Sequence, residues 1–204
     1  MKIIAVGWNY VEHNKELEHN IIHQNPVIFM KPDTALLRKN NPFFIPDFSD
    51  DVQYETEVVI RICKLGKCIS EKFAYRYYDA IGLGIDFTAR DLQRRFKSEG
   101  NPWELCKGFD GSAPISEFLP KENYENLNNL SFSLQINGKT VQNGNTKDMI
   151  FNFDTIIAYV SRFFTLKTGD LIFTGTPSGV GKINIGDHLE AYLEGKKMLD
   201  FYIC

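Results

Sequence analysis

Residues 52–62 read VQYETEVVIRI, and the way this stretch is built decides the fold. Val58, Val59, Ile60 and Ile62 make a β-branched run of the kind that packs well in a sheet. Glu55 and Glu57 interrupt that reading. Side chains alternate along a strand, so the two acids share a face with Cα atoms roughly 6.5–7 Å apart. Tyr54, Thr56, Val58 and Ile60 take the other face. Two carboxylates this close repel unless water or a cation screens them. An E-x-E pair by itself is ordinarily a solvated strand end, because exposed acids are the rule. The alternative is two oxygen ligands for a hard cation such as Mg²⁺, which leaves positions for water and substrate.

The bulk properties narrow the classes. The chain has 204 residues, enough for one domain over 1–204 with a substantial core. Hydrophobic content of 43% and charged content of 24% are globular values and exclude a disordered chain. Net charge is −3 and the basic runs are only Arg94-Arg95 and Lys196-Lys197, so no nucleic-acid footprint is expected. No apolar run approaches the roughly 18 residues of a membrane span, and MKIIAVGWNY is too short for a signal peptide. Cys63, Cys68, Cys106 and Cys204 match no zinc spacing, which predicts free thiols in a cytoplasmic setting.

Outward from the opening stretch, the pattern predicts many short strands with a few helices. An N-terminal strand precedes a short helix or turn with Val11, Leu17, Ile21 and Ile22 at helical spacing. PVIFMKP reads as a strand and residues 36–51, with Asn40, Asn41, Pro42 and Pro46, as a loop. A hairpin is expected at Lys64–Lys67 and a helix over 71–79. IGLGIDF reads as a strand, TARDLQRRFKSEG as a helix stopped by Gly100, and FDTIIAYVSRFF as another helix. Asn137-Gly138 signals a hairpin, a second Asn-Gly follows at 143–144, and Glu194-Gly195 turns between the last strands. The fold class is strand-dominated α+β, without the βαβα alternation of a doubly wound fold.

Three other stretches carry chemistry. Asp86 ends a predicted strand just before a helix, where it is either an N-cap or a third carboxylate for a cation. Asp91 is a poorer ligand, inside the helix among Arg90, Arg94 and Arg95. His13 and Glu16, three apart on a helix, share a face; they are either a solvated pair or an imidazole oriented by a carboxylate to take a proton from water. A zinc-peptidase motif is absent, since Leu17 stands where H-x-x-E-H needs its last His. GLGIDF lacks the third glycine of a dinucleotide loop. TGTPSGVGK has the wrong spacing for a phosphate loop, with Ile183 after the Lys.

Together these stretches resemble the fumarylacetoacetate hydrolase family, specifically its short members similar to acylpyruvate hydrolases and oxaloacetate decarboxylases. GWNYVEHNKE resembles the family's G-R-N-Y-x-x-H-x-x-E, FMKP its F-x-K-P, and YETE its metal strand. DFTARDLQ with PWELCKGFD, and TGTPSGVG, resemble its later motifs in order. The resemblance implies a β-roll or barrel with a few short helices, usually a homodimer. It implies Glu55, Glu57 and Asp86 as ligands of Mg²⁺ or Mn²⁺, and His13 and Glu16 as the dyad that activates water. Lys107 would stabilise negative charge, while Arg90, Gln93 and Thr176 would bind the substrate. The expected activity is hydrolysis of acylpyruvates to pyruvate and a carboxylic acid. Oxaloacetate decarboxylation or tautomerisation, and isomerisation or decarboxylation of a dioate, use the same site. A catalytically silent metal- or ligand-binding module is the rival of another class. One departure stands out: Trp8 occupies the position of the family's Arg.

Overall fold

The computed structural model describes residues 1–17, 21 and 23–204. Its largest sheet orders six strands as Val27–Lys31, Ile3–Gly7, Leu171–Phe173, Thr56–Ile62, Tyr78–Ile85 and Leu119–Pro120. Ile3–Gly7 and Leu171–Phe173 run parallel, and every other pair in this sheet is antiparallel. The second sheet is fully antiparallel, in the order Lys139–Asn145, Ser131–Ile136, His188–Leu193 and Lys196–Tyr202. The architecture is the strand-dominated α+β class that the sequence predicts.

The burial pattern explains the unbroken apolar run at 58–60. Val58, Ile60 and Ile62 pack with Phe132, Leu134, Leu189 and Phe201 of the second sheet and with the Phe153–Ser161 helix. Val59 points the other way, to Ile3, Ala5, Leu171 and Phe173. A strand covered on both faces needs apolar residues at consecutive positions, not alternating ones. Each such fully buried side chain stabilises the fold by about 1.5–3 kcal/mol.

Local signals are realised at the turns and caps. Asn137 and Gly138 both have positive φ, 53° and 77°, as a two-residue hairpin turn requires. Asn152 caps the Phe153–Ser161 helix by accepting from the Thr155 amide at 2.9 Å. Gly100 ends the Arg90–Glu99 helix in the left-handed region.

Several expectations are corrected. Residues 52–62 are not one strand: Val52–Tyr54 pairs with Gly181–Lys182 and Thr88–Ala89, and the ladder resumes at Thr56 in the large sheet. No tight hairpin forms at Lys64–Lys67. Gly66 instead bridges to Leu166, and the chain passes through the Glu71–Ala74 helix before returning as Tyr78–Ile85. That helix is shorter than 71–79 because Tyr78 is already paired with Ile62. Asn143-Gly144 lies within a strand, where a Cβ on Gly144 would meet the Phe132 ring at 2.7 Å. Leu36–Leu37, within the predicted loop, pairs with Ala113–Pro114. The first helix spans Val11–Glu16, and Ile22 lies outside the described residues. Among the described residues, no helix is long and apolar enough to cross a membrane.

Candidate active site

The break at Glu55 has a side-chain cause. The Thr56 amide donates to the Gln142 side-chain oxygen at 2.9 Å. Gln142 is buried, and its Nε2 donates in turn to Thr176 Oγ1 at 2.9 Å and to the Pro177 carbonyl at 3.0 Å. One glutamine thus ties the YETE segment to the TGTP loop. The tie takes Glu55 out of the strand and leaves Glu57 within it.

Asp86 reaches the same place from the next strand. Tyr78–Ile85 pairs with Thr56–Ile62, and the Asp86 amide donates to the Glu55 carbonyl at 2.8 Å. Asp86 is not the helix cap, which is Ala89. Glu55, Glu57 and Asp86 are only 5%, 2% and 0% exposed, which rules out a solvated strand end. Each offers a carboxylate oxygen, and these lie within 4.8 Å of one another.

Charged groups compensate the cluster unevenly. The Lys107 ammonium donates to Glu55 Oε2 at 2.7 Å and to Asp86 Oδ2 at 2.6 Å. Arg90 donates to Glu55 Oε1, and also to Gln93 at 2.7 Å and Gln53 at 2.9 Å. Burial opposes charge on Glu55, but Lys107 and Arg90 overcome it and hold the carboxyl below the usual range. Glu57 receives the Gly175 amide at 2.6 Å. Burial, then the Asp86 and Glu55 charges, push its carboxyl well above the usual range.

The cluster fits a divalent cation. Asp86 Oδ1 is buried and accepts no hydrogen bond, with only the Lys31 ammonium paired to it at 2.7 Å. The surroundings of Glu57 oppose its ionised form, which a cation would favour. Converging carboxylate oxygens are what a hard cation such as Mg²⁺ or Mn²⁺ binds.

The other predicted side chains converge on this cluster. Apart from Glu16, all of the predicted site residues line one cleft. Its remaining wall is apolar and aromatic, with Trp8, Phe29 and Trp103. His13 is 5% exposed although it sits on a largely exposed helix, and its ring stacks on Trp8 with centroids 6.1 Å apart. Its Nδ1 lies 3.4 Å from Glu16 Oε2, and Glu16 receives the Gly179 amide at 3.0 Å. Burial raises the Glu16 carboxyl, but these two hydrogen bonds outweigh it and leave the pKa below the usual range.

Two assignments need refinement. The Thr176 hydroxyl donates to the Thr56 carbonyl at 2.9 Å, so the amide is the donor it can offer a ligand. Arg90 is spent on Glu55, Gln53 and Gln93, which makes it a neighbour of the carboxylates before it is a substrate contact.

Lys31 and Gln142 were not singled out by sequence. Lys31 sat in plain view in FMKP, as a cation between apolar neighbours; Gln142 gave no local signal.

The fold and cleft define a class: a strand-rich scaffold that buries a carboxylate cluster among lysine, arginine and histidine side chains. The chain matches the family model described as Fumarylacetoacetate (FAA) hydrolase C-terminal over residues 2–201. It belongs to the fumarylacetoacetate hydrolase family. It is 40% identical over 201 residues to the mitochondrial oxaloacetate tautomerase of Mus musculus, covering 98% of this chain and 90% of that protein. It is 42% identical over 195 residues to the mitochondrial oxaloacetate decarboxylase of Dictyostelium discoideum, covering 95% and 89%. Among solved structures it resembles the fumarylpyruvate hydrolase of Pseudomonas aeruginosa in complex with Mn²⁺ and pyruvate. There the TM-score is 0.94 and the identity 32%, with 100% of this chain and 89% of that one covered.

Proposed function

We propose that this chain is a divalent-metal-dependent enzyme of small 2-oxo acids and that its reaction is the keto–enol interconversion of oxaloacetate. The observation that carries the reading is the convergence of three buried carboxylates, the Lys107 ammonium and the buried His13 imidazole on one cleft. The likeness to proteins named oxaloacetate tautomerase supports the choice of substrate.

Glu55, Glu57 and Asp86 are the residues that would hold Mg²⁺ or Mn²⁺. A bound cation supplies Lewis-acid stabilisation of enolate charge. His13 accepts the proton from C3 of oxaloacetate at Nε2, while Glu16 faces Nδ1 and stabilises the imidazolium. Negative charge collects on the 2-oxo oxygen, where the Lys107 ammonium offsets it. Burial works against charge on Lys107, but Asp86 and Glu55 outweigh it and keep the ammonium protonated. Return of the His13 proton to that oxygen completes the enol.

Hydrolysis of acylpyruvates is the second reading, and the His13–Glu16 pair favours it. The same imidazole can take a proton from water, which then attacks the carbonyl remote from the carboxylate. Cleavage of the C–C bond leaves a pyruvate enolate and a carboxylic acid.

The deciding experiment follows enol-to-keto conversion of oxaloacetate beside pyruvate release from a panel of acylpyruvates, with Mg²⁺ or Mn²⁺. Fast conversion of oxaloacetate with slow pyruvate release is expected. Fast pyruvate release alone supports the hydrolase, and no activity on either favours a silent binding module.

A further inference from the structure

Lys97 is a cation beside the cleft, and the reaction above leaves it unused. The Arg90–Glu99 helix turns Arg90 and Gln93 into the cleft, where both are buried. Positions 90, 93 and 97 recur at helical spacing, so Lys97 lies on the same stripe one turn further along. Its ammonium stands 4.3 Å from the Trp8 ring centroid and 5.5 Å from that of Trp103. Both rings line the cleft. Lys97 is thus held at the rim by two aromatic faces, a contact that suits a partly desolvated cation. Among the described residues, no carboxylate pairs with it within 4.0 Å.

The clamp is built at a cost. Trp8 has φ of 63°, the left-handed region that residues with a Cβ rarely adopt. The strained backbone lays the indole beside His13 on the reactive side and beneath Lys97 on the rim side. Lys97 is exposed as a residue, yet its ammonium end is desolvated against the rings. That burial, with the nearby charges of Arg90 and Lys107, pushes it down to about 8.

Resting on the reading of the cleft as a 2-oxo acid site, we propose that Lys97 is a specificity-determining residue that pairs with a second carboxylate at the far end of the substrate. A monocarboxylate whose remote end is neutral offers it nothing. The cation is carried on a flexible stem at the rim, while Lys107 and Arg90 are engaged with the metal-site carboxylates.

Trp8 and Trp103 are the two tryptophans of the chain and both line the cleft, so intrinsic fluorescence reports binding there. The test titrates Mn²⁺-supplied wild type, Lys97→Met and Lys97→Arg with malate and with lactate, which differ by the remote carboxylate. Lys97→Met is expected to weaken malate about tenfold, the equivalent of one hydrogen bond to a charged group, and to leave lactate unchanged. Lys97→Arg retains most of the malate affinity. Equal weakening of both ligands, or no change for malate, overturns the proposal. Turnover of oxaloacetate by the same wild-type protein is measured separately. If turnover is absent while the malate preference is lost in Lys97→Met, the catalytic reading fails and the role of Lys97 stands.

Discussion

The buried ammonium of Lys31 stands 2.7 Å from Asp86 Oδ1, linking two residues 55 positions apart in the chain (86 − 31). Lys31 also donates to the Lys107 carbonyl and, at 3.1 Å each, to the carbonyl and hydroxyl of Ser112. Burial holds its pKa below the usual lysine range, and the Asp86 charge offsets only part of that drop. Removing the ammonium leaves Asp86 Oδ1 without its cation, although Lys107 still holds Oδ2, and leaves several oxygens without their donor. Lys31→Met is therefore expected to cost about 3–5 kcal/mol, read from urea unfolding. An unchanged midpoint and slope would show that Lys31 does not anchor Asp86.

Gly175 holds the opposite side of the cluster. Its φ of 103° is strained for any residue with a Cβ, and an added Cβ would sit 2.7 Å from that of Asn9. Asn9 cannot yield easily, since it bonds the Thr174 carbonyl at 2.7 Å and both backbone groups of Phe151. Gly175→Ala should lose roughly 1–3 kcal/mol of stability and misalign the amide that meets Glu57. Calorimetric Mn²⁺ binding beside thermal unfolding checks both effects, and wild-type values in both would refute the role.

His13 separates acylpyruvate hydrolysis from oxaloacetate decarboxylation. His13→Ala should lower pyruvate release from acylpyruvates by about 10²–10⁴-fold, the usual contribution of a general base. Decarboxylation of oxaloacetate needs no water attack and should fall far less. Undiminished hydrolysis in the variant would remove the His13–Glu16 pair from the reaction.

Asp91 supplies a pH-dependent tether away from the chemistry. It receives the Ser49 hydroxyl at 2.6 Å and the amides of Asp50 and Leu92 at 3.0 and 2.8 Å. Burial opposes its charge, but these bonds together outweigh it and lower its pKa below the usual range. A carboxyl depressed by folding adds stability above its unfolded pKa, about 3.9, and loses it as the pH falls through the folded value. Asp91→Asn should cost about 1 kcal/mol at pH 7, with the difference shrinking below pH of about 3.9. A difference independent of pH in denaturant unfolding would exclude this linkage.

Local chemistry made much of the fold legible. Asn137-Gly138, Gly100 and the consecutive apolar residues 58–60 each report a constraint set by their own neighbourhood, and the structure uses each one. The strand break at Glu55 was not legible, because its cause is the side chain of Gln142 in another sheet. Lys31 and Lys97 were passed over for the same reason. Their partners, Asp86 for one and Trp8 and Trp103 for the other, are brought to them only by the tertiary fold. Glu55, Glu57 and Asp86 were the converse case. Each looked ordinary in isolation, and the family resemblance supplied the long-range information that periodicity lacks.

The proposed reaction depends on a divalent cation held by this carboxylate cluster. The direct measurement is enol-to-keto conversion of oxaloacetate by wild type and Glu57→Gln, after chelator treatment and after Mn²⁺ is restored. Chelator is expected to abolish wild-type activity, Mn²⁺ to restore it, and Glu57→Gln to stay low at the same Mn²⁺ concentration. Full activity of the chelated wild type, or of metal-supplied Glu57→Gln, would contradict it.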